Sequence, residues 1–319
     1  MSGPIRAVFI VGQTASGKGA VAFLLARAVG AEIISLDSMK VYRGMDVGTA
    51  KPPPERRRAV PCHLIDVVGP DEHFSTAIYV ERAESAAEEI AGRGALPLFV
   101  GGTALYLKAL IEGLFEGPPA DPEFRAEVRR QAAEHGNRYV HDRLAEVDPL
   151  AAERIHPNDI RRIERALEVY EQTGRPISDL QQQFGEQRDR FDAAVIGLRR
   201  GQADLRARID RRVDRMMEMG LVEEVRRLTA GSHPPGKEAR KALGYAELVR
   251  HLNGEVSLDE AVDLIKVHTR QFAKAQMTWF KRMDWIEWFE IEPDEPPETT
   301  AERVRRHLLD QGVLPPSRT

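Results

Sequence analysis

The sequence predicts an α/β protein with a P-loop-type parallel sheet flanked by helices and an inserted all-helical domain. Three observations predict this fold. The apolar run at 7–11 leads directly into a glycine-rich loop that ends in Lys18 and a helix. Strand-like and helix-like segments then alternate as far as residue 110, which is typical of a parallel sheet covered on both faces. Strand character returns at 193–198 after helices alone, so we expect the core to resume there.

Each element of the core follows from its local pattern. Short, nearly continuous apolar runs predict buried parallel strands, and longer segments rich in Ala and Leu predict helices. The predicted strands are 5–11, 32–36, 63–67, 96–100 and 193–198. The predicted helices are 18–29, 76–91, the segment after Thr103 as far as residue 110, 202–219, 221–230, 239–251, 257–282 and 300–310.

A cluster of structure-breaking residues at 117–122, Gly-Pro-Pro-Ala-Asp-Pro, marks a linker. We therefore expect a discontinuous core at 1–117 and 191–319, and a helical insertion at 118–190. The predicted helices of the insertion are 123–135, 138–146 and 159–172, the last preceded by a breaker and a capping Asp at 156–159.

Composition excludes several classes of protein. The chain has 319 residues, a net charge of -4 and one cysteine, Cys62, so it forms no intrachain disulfide and no all-cysteine metal site. No apolar stretch approaches the length of a membrane span, and the first strand leaves no room for a signal peptide. We expect a cytoplasmic monomer with no membrane partner.

The loop after the first strand predicts binding of an oligophosphate. It reads Gly12-Gln13-Thr14-Ala15-Ser16-Gly17-Lys18-Gly19. Backbone N–H groups, the start of a helix and the charge of Lys18 together favour a phosphate chain. A plain glycine-rich turn is the alternative. Gly19 stands where a Ser or Thr usually ligates magnesium, so the loop does not identify which groups would bind a metal ion.

Two further strands end in polar residues. Asp37 follows the strand at 32–36, and Gly101-Gly102-Thr103 follows the strand at 96–100. Because ligands of parallel sheets bind beyond the carboxyl ends of the strands, we expect both turns to meet the loop in one crevice. Asp37 could hold magnesium, accept a proton or simply cap a helix. The Thr103 turn could approach a ligand or be a tight turn before a helix.

Positive charge is concentrated in three places, and RNA contact is one explanation. The arginines concerned are Arg199, Arg200, Arg206, Arg208, Arg211, Arg212 and Arg215, and in the insertion Arg161, Arg162 and Arg165. Residues 266–282 carry five Lys and Arg and no acid, with aromatics between them, which suits a polyanion whose bases stack. The alternative is a solvated helix whose core face is Leu264, Val267, Phe272, Met277 and Trp279.

Taken in their order along the chain, these motifs resemble those of the tRNA dimethylallyltransferases, also called tRNA isopentenyltransferases. The resemblance runs from about residue 8 to residue 285, and the string at 41–52 is its most specific part. The other matching pieces are Gly12 to Lys18, 34–38, 63–66, 100–106, 155–159, 162–168, 242–245, 269–271 and Trp279-Phe280.

The resemblance implies transfer of a dimethylallyl group from dimethylallyl diphosphate to the exocyclic N6 amine of the adenosine 3′ of a tRNA anticodon. It implies that residues 12–19 grip the diphosphate, that Asp37 is the general base, and that Lys18, Thr103 and Arg212 stabilise the leaving diphosphate. It implies Mg²⁺ as cofactor, held by diphosphate oxygens and water. By matching, the residues that face tRNA are Asp37, Ser38, Met39, Lys40, Arg125, Arg161, Arg162, Arg165, Arg240 and Lys241.

The chain departs from the family pattern at three positions. Gly19 replaces a Thr or Ser, Lys40 a frequent Gln, and Ala275 a usual Arg. Two other functions stay open on the residues alone. The first is a small-molecule or nucleotide kinase that uses ATP in the same loop, although Gly19 lacks the hydroxyl on which phosphoryl transfer relies. The second is an RNA-binding protein whose loop senses a nucleotide.

Overall fold

A computed structural model describes residues 3–113, 117–181 and 189–314, and within them a parallel sheet forms the centre of the core. The strands are β1 (Ile5–Gly12), β2 (Ala31–Leu36), β3 (Cys62–His63), β4 (Leu96–Gly101), β5 (Phe191–Arg200) and β6 (Glu287–Ile291). The helices are α1 (Lys18–Val29), α2 (Pro54–Ala59), α3 (Thr76–Gly92), α4 (Ala104–Ile111), α5 (Pro122–His135), α6 (Asn137–Val147), α7 (Pro149–Arg154), α8 (Ile160–Thr173), α9 (Ile177–Gln181), α10 (Gln202–Glu218), α11 (Leu221–Ala230), α12 (Tyr245–Leu252), α13 (Leu258–Phe280) and α14 (Pro297–Asp310).

The sheet has the order β3-β2-β4-β1-β5-β6, and every pair is parallel. β1 is central, with Val8 opposite Leu98 of β4 and Ala194 of β5. The carboxyl ends of β2, β4, β1 and β5 therefore lie side by side at one edge. This confirms the predicted fold class and places three predicted turns at that edge.

Both faces of the sheet are covered, because successive residues of β1 point to opposite sides. Val8 and Ile10 pack in a buried cluster with α1 and α14. Phe9 lies on the other face, stacked on Phe99 with ring centroids 4.4 Å apart, and α3 packs against that side. The near-continuous apolar pattern of β1 follows from this two-sided burial.

The chain divides into two compact units. One contains residues 1–111 and 189–319, and the other contains 112–188. The boundaries expected from the sequence were 117/118 and 190/191. In the described part of the second unit, α5 to α9 enclose their own apolar core, which includes Val128, Val140 and Ile163.

Two predicted elements are wrong in part. The strand expected at 63–67 ends at His63, because Leu64 and Asp66 adopt left-handed φ angles of 58° and 60°. That turn brings the Asp66 carboxylate to Lys51, at 2.5 Å. The helix expected at 239–251 is a 3-10 turn at 239–241 followed by α12, because Gly244, with φ of 93°, breaks it.

Four elements were not predicted. They are α2, α7, α9 and β6. The helices are only five or six residues long, too short for a helical period to show in the sequence. β6 is a five-residue strand at the sheet edge beside β5, and its burial does not alternate, so it has no strand period in the sequence. In the described ranges, no helix is long and apolar enough to cross a membrane.

Gly197 of β5 gives a test of core packing. A Cβ added there would lie 2.6 Å from Trp288 and 2.7 Å from Ile286. We expect Gly197→Ala to lower the free energy of unfolding by about 1–3 kcal/mol, because neither neighbour can retreat without cost. Thermal and urea unfolding measure this.

The matched control is Gly92→Ala at the exposed end of α3, where a Cβ would meet no atom within 4 Å. Its effect should stay within about 0.5 kcal/mol. Equal stability of the two variants would contradict the packing of β6 on β5.

Candidate functional site

The loop between β1 and α1 makes two sharp turns at glycines. Gly12 has φ of 150°, and a Cβ there would lie 2.5 Å from the Leu198 carbonyl oxygen. Gly17 has φ of 96° and caps α1. Ala15 also has a positive φ, 61°. Only a residue without a side chain fits at Gly12 next to β5.

Cationic side chains bind the outward carbonyl oxygens of this loop. Lys18 Nζ donates to the Gln13 oxygen, Arg208 Nε to the Ala15 oxygen and Arg200 Nε to the Ser16 oxygen, each at 2.9 Å. The N–H groups of Lys18 and Gly19 start α1 and have no intrahelical acceptor. The loop therefore has donors and the positive helix end available for an anion, and binding of a diphosphate by residues 12–19 stays a prediction.

A cavity of about 740 Å³ opens beside the loop. Seven cations of the described residues line it, against one carboxylate, that of Asp37. The cations are Lys18, Lys40, Arg208, Arg211, Arg212, Arg215 and Lys241. Thr14, Ala15, Gly17, Gly19 and Thr103 also line it, whereas Gly12, Gln13 and Ser16 are buried behind the loop. The predicted catalytic residues Asp37, Thr103, Lys18 and Arg212 therefore share one cavity.

Burial lowers the pKa values of three cations in this cavity, and neighbouring cations add to the effect at Lys18 and Lys40. Burial, Arg212 and Lys40 lower the pKa of Lys18 to about 7, against the opposing effect of Asp37. Burial is also the main cause that lowers the pKa of Lys40 and of Arg212. An oligophosphate would neutralise this excess charge, so its binding relieves the repulsion.

Asp37 and Thr103 occupy neighbouring turns that are tied together. Asp37 Oδ1 accepts the amides of Met39, at 2.9 Å, and Lys40, at 3.3 Å. Thr103 Oγ1 accepts the Ser38 amide at 3.2 Å, which leaves its hydroxyl proton free to donate. In the described ranges, Oδ2 of Asp37 accepts no hydrogen bond. Asp37 thus holds a turn with one oxygen and leaves the other without a partner among the described residues. The helix-capping alternative is wrong, because the next helix along the chain begins only at Pro54.

A buried carboxylate that the sequence did not reveal fixes another wall of the cavity. Glu224 of α11 accepts the amides of Asp46 and Val47, both at 2.8 Å, and of Gly48, at 3.0 Å. The Tyr245 hydroxyl donates to the same carboxylate at 2.6 Å. Gly48 lines the cavity, so Glu224 holds part of the 41–52 string in place.

The arginine cluster at 199–215 serves the loop as well as the cavity. Arg200 is buried and also pairs with Asp204 at 2.9 Å. Arg208 binds the loop and lines the cavity. RNA contact therefore does not explain Arg200, whose guanidinium binds the Ser16 oxygen, the Asp204 carboxylate and the Glu292 carbonyl oxygen.

The charges on α13 are likewise partly structural. Lys266 pairs with Asp214 and Arg270 with Asp210, both at 2.5 Å, which fastens α13 to α10. The apolar face that the sequence offered as an alternative to RNA contact is wrong at three positions, because Val267, Phe272 and Trp279 are exposed and not in the core. Phe272 lines the cavity instead. The helix buries Ala261, Ile265, Thr269, Ala273, Gln276 and Phe280.

The remaining residues matched to tRNA contact lie in several settings. Those of them that line the cavity are Ser38, Met39, Lys40 and Lys241. Arg240, which precedes Lys241, is exposed, and its Nε donates to the Pro235 carbonyl oxygen at 2.6 Å.

In the helical unit, two of the four predicted arginines have a buried partner. Arg125 and Arg165 both bind Glu168, which is 0% exposed, at 2.7 and 2.6 Å. Arg161 and Arg162 are exposed at the start of α8, with Arg162 3.4 Å from its own capping Asp159. The exposed pair is thus the better placed for an external anion.

Comparison with known families covers most of the chain. The family model described as IPP transferase matches residues 40–283, and the model described as isopentenyl transferase matches residues 5–61. Together they include the loop, Asp37, Thr103 and the helical unit.

Curated relatives and solved structures agree with these families. A tRNA dimethylallyltransferase of Symbiobacterium thermophilum is 50% identical over 95% of each chain, and one of Geobacter metallireducens is 48% identical over 89% of this chain and 92% of its own. The crystal structure of a tRNA isopentenylpyrophosphate transferase from Bacillus halodurans has a TM-score of 0.71 and 38% identity over 96% of each chain. A eukaryotic dimethylallyltransferase acting on tRNA has a TM-score of 0.80 and 25% identity, over 96% of this chain and 78% of its own.

The lowered pKa of Lys18 gives a test of the cavity. A bound anion favours the charged form of the Lys18 ammonium. We therefore expect the protein to gain as much as about one proton when diphosphate binds at pH 8. Uptake should diminish as the pH falls below 7, where Lys18 is already charged. Titration calorimetry in buffers of different ionisation enthalpy measures the uptake.

Lys18→Arg is the matched control, because a guanidinium stays charged and takes up no proton. Proton exchange by diphosphate itself is common to both proteins and cancels in the difference. Identical uptake by both would show that Lys18 is already charged in the empty cavity.

Proposed function

Because this chain belongs to the tRNA dimethylallyltransferase family, we propose that it transfers a dimethylallyl group from dimethylallyl diphosphate to the N6 amine of the adenosine 3′ of a tRNA anticodon, with release of diphosphate. The observation that carries the proposal is that Asp37, the one carboxylate that the described residues place in the cavity lining, shares the cavity with the phosphate loop and Thr103. The volume of about 740 Å³ is within the range of small-molecule sites.

The loop side of the cavity suits the leaving group. As the allylic C–O bond breaks, negative charge grows on the diphosphate oxygens. Lys18, Arg212 and the amides that start α1 are fixed donors, so they stabilise that charge without rearranging. The Thr103 hydroxyl, whose oxygen is occupied by the Ser38 amide, is oriented to donate to a phosphate oxygen. Groups that bind this charge better than the neutral ester accelerate the step.

The carboxylate suits the nucleophile. The adenine nitrogen attacks the allylic carbon, the new N–C bond forms, and the proton of the amine passes to Asp37. Oδ1 is held by two backbone amides, so the free Oδ2 has a defined direction toward the amine. An adenine of an anticodon loop must leave its stack to reach such a site.

Mg²⁺ belongs to the proposal as an ion that enters with the diphosphate. The described residues contain no group of three acids, His or Cys that could hold a metal, and Gly19 offers no hydroxyl. The protein donors alone therefore do not build a resident magnesium site, and the steps above need only the residues named.

The tRNA contacts of the proposal lie in both units. Lys40 and Lys241 line the cavity, and Arg161 and Arg162 are exposed on the helical unit. We propose that these cations bind the anticodon stem-loop, and that the enzyme acts as a cytoplasmic monomer. Arg125 and Arg165, bound to Glu168, serve more to shape that unit than to contact RNA.

A direct assay separates this function from the two alternatives. The protein is incubated with Mg²⁺, labelled dimethylallyl diphosphate and a tRNA whose anticodon loop is rich in adenosine. Label enters the RNA only if the chain is a transferase. A kinase would instead move the terminal phosphate of labelled ATP, and an RNA-binding sensor would do neither. The IPP transferase match and the relatives support the first outcome, and no comparison supports a kinase.

Asp37→Asn tests the general base. The amide keeps the size of the side chain and can still accept the Met39 amide, but it cannot take a proton. We expect the single-turnover rate to fall about 100-fold or more, with tRNA affinity nearly unchanged. Rapid-quench kinetics and filter binding measure the two quantities.

Ser38→Ala is the neighbouring control, because its side chain lacks a proton-accepting role in the proposal. A wild-type single-turnover rate for Asp37→Asn would exclude Asp37 as the base and leave the transferase assignment standing.

Arg162→Ala tests tRNA contact by the helical unit. Loss of one phosphate contact should weaken tRNA binding and reduce the salt slope by about one, with diphosphate affinity unaltered. Arg138→Ala is the matched control, since Arg138 is also exposed in that unit and paired with a nearby acid, Asp142 at 2.9 Å. Parallel slopes for the wild type and Arg162→Ala would rule out the contact.

A further inference from the structure

Gln276 is an amide on the buried face of α13. The other residues buried on that face are Ala261, Ile265, Thr269, Ala273 and Phe280. The Gln276 side chain is 7% exposed and lines the cavity of the phosphate loop. Because burying an amide without partners costs free energy, its contacts indicate why it is there.

Both ends of this amide are bound, each to a different part of the site. Oε1 accepts the Thr14 amide of the phosphate loop at 2.8 Å. Nε2 donates to the Gly102 carbonyl oxygen at 2.8 Å. One rigid planar group therefore spans the loop after β1 and the turn after β4, which carries Thr103.

Gly102 is a glycine because of this contact. A Cβ there would lie 2.3 Å from Nε2 of Gln276, so any other residue would push the amide away. Gly102 does not have a positive φ, which leaves the close approach as the requirement. Gly102 thus makes room for α13, whereas Gly101 makes room for β2, since a Cβ there would collide with the Leu36 carbonyl group.

A second amide strengthens the same connection. Gln13 of the loop donates from Nε2 to the Ala273 carbonyl oxygen of α13 at 2.8 Å. The helix and the loop each contribute one amide side chain to the other's backbone. The loop is therefore held to α13 at two adjacent points.

We propose that Gln276 is a positioning residue that sets the spacing between the phosphate loop and the Thr103 turn. With that spacing fixed, one diphosphate is held by Lys18 on one side and by the Thr103 hydroxyl on the other. Gln276 acts through Thr14 and Gly102 and takes no part in proton transfer. The identity of the diphosphate substrate rests on the proposed function, but the spacing rests on the contacts alone.

The direction of the amide makes the inference testable with an isosteric change. In Gln276→Glu, one carboxylate oxygen still accepts the Thr14 amide, but the other meets the Gly102 oxygen, and two acceptors repel. Gln276→Met removes both hydrogen bonds without adding charge. Gln271→Glu makes the same chemical change on the exposed face of α13 and is the matched control.

The primary measurement is the affinity of inorganic diphosphate for the full chain by calorimetry, which needs no catalysis. We expect about tenfold weaker binding for Gln276→Glu and Gln276→Met, and wild-type binding for Gln271→Glu. In the transfer assay, the KM for dimethylallyl diphosphate should rise by a similar factor, whereas tRNA affinity should not change. A role in folding alone would lower the active fraction and kcat without this selective rise.

Each outcome bears on a different claim. If Gln276→Glu does not fold, Gln276→Met decides the case. Diphosphate affinities of the folded variants within about twofold of the wild type would overturn the positioning role while leaving the transferase function intact. Weakened diphosphate binding by the Gln276 variants, together with a wild-type chain that transfers no dimethylallyl group, would support the positioning role and overturn the proposed function. A wild-type chain that binds no diphosphate would overturn both.

Discussion

The phosphate loop depends on hydrogen bonds from cationic side chains to its outward carbonyl oxygens. Arg200 and Arg208 bind the oxygens of Ser16 and Ala15, and Lys18 binds that of Gln13. Within the loop the Ser16 amide donates to the Gln13 oxygen at 3.2 Å, but the oxygens of Ala15 and Ser16 take their donors from the two arginines. Leaving such carbonyl groups buried without donors is costly. Once they are bound from behind, the remaining amides can face an anion. The geometry of the cavity follows from this one constraint.

The accumulated charge that builds the loop also makes the empty cavity electrostatically unfavourable. Lys18, Lys40 and Arg212 all have lowered pKa values because they are buried together. Asp37 offsets only part of this repulsion. Burial is the main cause of these lowered pKa values, so the cations are costly to keep charged in the empty cavity. A bound diphosphate offsets that cost, and the fixed positive groups are the electrostatic preorganisation that a developing anion requires.

Local features were predictable from the sequence, and features that join distant segments were not. The strand-loop-helix around Lys18, and Asp37 and Thr103 at strand ends, follow from short patterns. The supports of the loop do not, because Arg200 lies 184 residues from Ser16 and reads in the sequence as one more surface charge. The sequence does give an indication of Gln276, because this amide occupies a position that helical spacing places on the mostly apolar face of α13. The strand expected at 63–67 failed because Asp66 turns the chain to reach Lys51, a contact that no local period reveals.

The long separation between the loop and its supports has a consequence for synthesis of the chain on the ribosome. Residues 1–30 contain the whole glycine-rich signature, yet the groups that hold its carbonyl oxygens arrive only with β5 and α10, after the helical unit has been made. A nascent chain that has not yet exposed Arg208 carries the signature without its shape. The loop can therefore be fixed in its final shape only late in translation, once Arg200 and Arg208 have been added.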